Sequence, residues 1–142
     1  MDLRGSFDRI EGVLGIALLA SAMLSVPAPV TRTLMLPAGP LHAHFRFVAE
    51  TGAAFRDVRL VVPHSSVVRV FARDANKQMG VEVSTTARAS PVSRCTRRGR
   101  YDVCHQQQEA CPILNEHWIA EVDKRSAAPA RIRITFFFAR SG

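Results

Sequence analysis

The segment Ala130-Arg131-Ile132-Arg133-Ile134-Thr135-Phe136-Phe137-Phe138 decides the fold. Ile132, Ile134, Phe136 and Phe138 alternate with Arg131, Arg133, Thr135 and Phe137. Successive side chains of a strand point to opposite faces, so a period of two marks a strand with one buried face. Phe137 interrupts the polar side of this pattern and places one ring on the opposite face, where it packs beneath a loop or meets a partner.

The same period recurs upstream. Leu41, Ala43, Phe45, Phe47 and Ala49 alternate with His42, His44, Arg46, Val48 and Glu50. Val58, Leu60 and Val62 flank Arg59 and Val61, and Val68, Val70 and Ala72 alternate with Arg69, Phe71 and Arg73. Met79, Val81 and Val83 form a fourth set, and Trp118, Ala120 and Val122 a fifth. Burial of one face favours antiparallel sheets, because parallel sheets are covered on both sides. Turn signals separate the segments: Thr51-Gly52, Pro63-His64-Ser65-Ser66, Asp74-Ala75-Asn76 and Ser126-Ala127-Ala128-Pro129. Short strands with such punctuation predict an all-β domain over residues 41–142, a small antiparallel β-sandwich of jelly-roll or Ig-like type. The expected shared core is Phe45, Phe47, Leu60, Val70, Val81, Trp118, Ile132, Ile134 and Phe136.

The N-terminal end reads differently. Val13 to Val26 carries no charge but is shorter than the roughly 20 apolar residues that span a bilayer. It matches the apolar stretch of a secretory signal, and Ala20-Ser21-Ala22 supplies a small-x-small cleavage pattern. Residues 1–22 are therefore expected to be a signal peptide, or an apolar helix if retained. Removing them would leave the chain more basic by one charge. This points to a secreted or extracytoplasmic protein, the alternatives being a signal-anchored membrane protein or a cytoplasmic one. Contact with a membrane is expected only through this segment, if it is not cleaved. Pro27, Pro29, Pro37 and Pro40 predict a Pro-rich linker over 23–40.

Residues 86–116 read as a long irregular loop, and loops of that length are usually functional or tied down. It holds all the cysteines, Cys95, Cys104 and Cys111. In an exported chain one disulfide is expected there, as Cys95–Cys104, Cys95–Cys111 or Cys104–Cys111. The first pair could face each other across a hairpin. Zinc is disfavoured, because spacings of nine and seven do not match the close ligand pairs of structural sites.

The loop also carries Arg94, Arg97, Arg98, Arg100 and Tyr101. The whole chain has a formal charge of +7, and of its 19 basic residues only Lys77 and Lys124 are lysine. Guanidinium forks suit carboxylates, sulfates and phosphates. These five residues are the candidate ligand site for an anionic macromolecule such as nucleic acid or a sulfated glycan, with Tyr101 stacking on a base or sugar.

Catalytic chemistry has little support. His42 and His44 share a strand face but lack an identifiable third ligand. His64-Ser65-Ser66 has neither a nucleophile elbow nor an acid identifiable in sequence to orient the histidine. No phosphate-binding glycine loop occurs, and no cofactor or metal is assigned. The leading expectation is a non-catalytic binding or accessory module with a protein or anionic partner. The alternatives are a polyanion-binding module using the arginine loop, or a small hydrolase or metal-dependent enzyme around His64, His105 or His42 and His44.

The stretches His117-Trp118-Ile119-Ala120-Glu121-Val122 and Ala130 to Phe136 resemble the closing hairpin of pre-peptidase C-terminal domains. Val68-Arg69-Val70-Phe71-Ala72-Arg73-Asp74 is similar to that family's central strand. The resemblance implies an exported β-sandwich accessory module without catalytic residues. The family's acidic, glycine-rich turn is absent, so no ligand site is implied.

Overall fold

The computed structural model describes residues 25–86, 93–108 and 112–140. The apolar N-terminal segment expected as signal peptide or helix, and Cys111, lie outside them. The described chain forms nine strands: β1 (Val30–Leu36), β2 (Leu41–Val48), β3 (Ala53–Pro63), β4 (Val68–Asp74), β5 (Gly80–Ser84), β6 (Arg94–Arg98), β7 (Tyr101–Gln107), β8 (His117–Lys124) and β9 (Ala130–Arg140). They make two packed antiparallel sheets, one of order β1-β9-β3-β7-β6 and one of order β2-β8-β4-β5. The expected all-β antiparallel sandwich is therefore present. The chain crosses between sheets at every connection except the β4–β5 and β6–β7 hairpins.

The alternating segments bury the faces their pattern marks. Leu60, Val70, Val83, Trp118, Val122, Ile132, Ile134 and Phe136 are inaccessible to solvent or nearly so. Phe47 stacks on Phe136 with ring centroids 4.4 Å apart, and Phe55 meets Trp118 edge-on at 4.7 Å. The Trp118 Nε1–H donates to the Asn115 carbonyl at 2.7 Å, so its polar atom is satisfied. Phe45 differs from the rest of the expected core. It is only half-buried, because β2 is an edge strand, and the Arg32 guanidinium covers its ring at 5.9 Å.

Three elements depart from the sequence reading. Val30–Leu36, inside the expected linker, is a sheet strand paired with β9. Its prolines bracket the strand rather than interrupt it, and Val30, Leu34 and Leu36 face inward. The expected loop 86–116 contains the β6–β7 hairpin. Gly99, at φ 63°, and Arg100 connect its strands, a two-residue turn with glycine in the left-handed position. Finally, β8 and β9 lie in different sheets, so residues 117–136 do not form a closing hairpin.

One end of the sandwich is held by a buried cation. Lys124 is fully buried, and its Nζ donates to the carbonyls of Gly39 at 2.6 Å and Ser126 at 2.7 Å. Gly39 N–H donates in turn to the Ala127 carbonyl at 2.7 Å. The β1–β2 and β8–β9 loops are thus fastened together.

Candidate functional site

Register decides which arginines share a surface. On the outer face of the five-stranded sheet, Arg59, His105 and Arg94 lie side by side across β3, β7 and β6. The neighbouring row is Thr33, Arg133, Val61, Val103 and Thr96, crossing all five strands. Next come Met35 and Arg131 on β1 and β9, with Tyr101 and Arg98 paired on β7 and β6. A shallow depression of about 310 Å³ is lined by Thr33, Val61, Tyr101, Arg131 and Arg133. Arg59, Arg94, Arg98, Arg131 and Arg133 are exposed, and none forms an ion pair among the described residues. Asp57 lies on this face among the described residues, 3.5 Å from His105 Nδ1.

Phe137 belongs to this face. It is half-buried beneath two guanidinium groups, Arg59 at 4.7 Å and Arg56 at 5.8 Å from its ring centroid. The ring orients Arg59 over the sheet without neutralising it.

The outer face of the four-stranded sheet has a different character. Arg69 donates from Nε to Glu82 at 2.6 Å, Arg73 bonds Glu121 at 3.4 Å, and Arg125 Nε lies 3.5 Å from Asp123. The Glu82 hydrogen bond raises the Arg69 pKa further, so this guanidinium stays charged at any working pH. Phe71 lies between Arg69 and Arg73, at 5.8 and 5.2 Å from its ring centroid. Cations are as prominent here, but each of these has an acidic neighbour.

The candidates from the loop divide between surfaces. Arg94, Arg98 and Tyr101 reach the outer face of the five-stranded sheet. Arg97 alternates with Arg98 and so takes the opposite side of the edge strand, where its Nε donates to the Gly99 carbonyl at 3.1 Å. Arg100 occupies the hairpin turn, and its carbonyl accepts from His64 N–H at 2.8 Å. Arg59, Arg131 and Arg133 complete the basic face and come from strands whose arginines read, in sequence, as ordinary solvent-facing positions. Only the register brings them to β6 and β7.

Cys95 and Cys104 are joined by a disulfide directly across the β6–β7 ladder, with Cα atoms 4.0 Å apart. Bonded to each other, neither sulfur can serve as a zinc thiolate. Among the described residues no cluster of three His, Cys, Asp or Glu side chains could hold a metal. His42 and His44 face outward on β2, beside Asp123 and Glu121 on β8.

His64 Nδ1 lies 3.0 and 3.1 Å from the two carboxylate oxygens of Asp102. That arrangement would orient a general base. Among the described residues, however, no serine or threonine hydroxyl is bonded to the ring, and the pair instead ties the hairpin to the β3–β4 turn. No described helix is long and apolar enough to cross a membrane.

No protein-family model matches the chain, and no curated protein does either.

Proposed function

We propose that this chain is a non-catalytic, extracytoplasmic binding module of the double-sheet jelly-roll type, which takes an anionic macromolecule on the outer face of its five-stranded sheet. The strand orders β1-β9-β3-β7 and β2-β8-β4-β5 support the jelly roll, with β6 added at one edge. An accessory role beside a partner chain or domain, of the kind pre-peptidase C-terminal modules fill, belongs to the same reading. The disulfide supports an oxidising compartment, where such bonds form and persist.

One observation carries the binding surface. Among the described residues, Arg59, Arg94, Arg98, Arg131 and Arg133 share a face without ion-pair partners, whereas Arg69, Arg73 and Arg125 on the other sheet are paired. Like charges held together on rigid strands repel, and an anionic polymer relieves that repulsion while releasing counterions.

Titration of the oxidised chain with dextran sulfate at several salt concentrations tests the reading. Affinity should fall steeply as salt rises, and Arg131→Glu/Arg133→Glu should abolish binding while Arg69→Gln leaves it unchanged. Equal effects of the two substitutions would sink this choice of face. Mass spectrometry tests the compartment: an intact Met1 with three free thiols in the native protein would overturn export.

A further inference from the structure

We infer that the partner on this face is an acidic polysaccharide, a chain of sugars bearing carboxylate or sulfate groups; the inference rests on the polyanion reading above and narrows it. Spacing is the first argument. Arg59 and Arg94 are separated by one intervening strand, hence about 10 Å, and Arg131 and Arg133 are about 7 Å apart along β9. The basic face is thus an array of separate forks on a fixed grid, each able to grip one planar carboxylate or one sulfate bidentately.

The uncharged groups between the forks are the second argument. Thr33 and Thr96 are exposed in the same row as Arg133. Hydroxyls that both donate and accept suit the sugar hydroxyls lying between successive acidic groups.

Aromatic content is the third. Tyr101, at 44% exposure, is the one exposed aromatic ring among the described residues, and Phe137 is covered by Arg56 and Arg59. Single-stranded nucleic acid is gripped by several rings on which successive bases stack, and this face has no such series. One ring beside a shallow depression suits the apolar face of one sugar. The disulfide adds a fourth argument, since an oxidising compartment presents polysaccharide more readily than nucleic acid.

The test compares probes on the full oxidised chain: polygalacturonate, heparin, neutral dextran, oligo(dT) and phosphatidylglycerol vesicles. Polygalacturonate or heparin should bind in a salt-dependent manner and more tightly than oligo(dT) or vesicles, and neutral dextran should not bind. Arg131→Gln/Arg133→Gln should weaken glycan binding by about tenfold or more at low salt. The corresponding lysine pair should restore only part of it, because an ammonium lacks the planar fork. Thermal unfolding should show these exposed-site variants to be folded. Tighter binding of oligo(dT) or vesicles through the same arginines would overturn the glycan assignment and leave the polyanion reading standing. Failure of every charged probe to bind at low salt would overturn both. Glycan binding indifferent to Arg131 and Arg133 would remove this face as its site.

Discussion

Cys95 and Cys104 are directly opposed across an antiparallel ladder and covalently joined, yet one is exposed and the other fully buried. The bond therefore couples the sandwich core to an edge strand whose every residue is exposed. Among the described residues β6 has no other strand neighbour than β7. Reduction, or Cys95→Ala/Cys104→Ala, should lower stability by about 2–3 kcal/mol in urea unfolding. It should also weaken polyanion binding, because Arg94 and Arg98 ride on the strand released. Circular dichroism of the remaining strands should change little; collapse of the whole spectrum would show the bond to be a requirement of the fold.

Trp118 contacts Phe47 and Phe55 in the aromatic cluster, and it is almost wholly buried. Trp118→Ala removes a large side chain from between the sheets and should destabilise by about 3–5 kcal/mol. Trp118→Phe should cost less than half of that, since it keeps most ring contacts and gives up the hydrogen bond to Asn115. Chemical denaturation followed by circular dichroism reads both values.

Gly80 and Phe71 form a testable pair. A Cβ on Gly80 would lie 2.9 Å from Phe71 Cζ, so the ring would have to shift to admit it. Phe71 thus lies over the edge strand because the glycine leaves room. Gly80→Ala should destabilise by about 1 kcal/mol. In a Phe71→Ala background the same change should be neutral or stabilising, a coupling that a double-mutant cycle measures. Equal costs in the two backgrounds would show that the ring does not need that space.

Lys124 closes one end of the sandwich through two carbonyls and, among the described residues, no carboxylate. Lys124→Ala leaves those acceptors short of a donor and should destabilise by about 3 kcal/mol. Lys124→Met keeps the aliphatic packing and should lose less. Hydrogen exchange should place the change at the N–H of Gly39, which spans the same two loops.

Much of the fold was legible in residues of period two. Segments around Phe47, Leu60, Val70, Val81, Trp118 and Ile134 all became strands, because one buried face leaves an unmistakable alternation. The strands that escaped lack that signature for identifiable reasons. β6 is solvated on both sides, and β7 buries Cys104 and Gln106 in place of a run of aliphatic residues. The start of β3 hid behind a register shift between Phe55 and Asp57, which breaks the alternation, and Ala53, Ala54 and Phe55 are buried in succession although they alternate between the two faces.

The basic face was only partly legible. Arg94, Arg98 and Tyr101 stood out as neighbours in sequence. Arg59, Arg131 and Arg133 join them through pairings between distant segments, which local pattern does not encode. Nor does sequence reveal which arginines are neutralised: Arg73 meets its acid, Glu121, 48 residues away. Register decides which arginines meet a carboxylate across the strands.

The arginines of β6 also bear on how copies of the chain behave toward one another. Among the described residues its outer side has no strand partner, and an edge of that kind has backbone groups able to accept another strand. Arg94, Arg97 and Arg98 crowd that edge, so two copies approaching edge to edge bring like charges together, and the edge acts as its own guard against fibrous association. A polyanion that neutralises the guanidinium groups lifts the guard. Ligand and aggregation are then coupled: near charge balance the complexes should tend to associate, and excess polyanion should disperse them again.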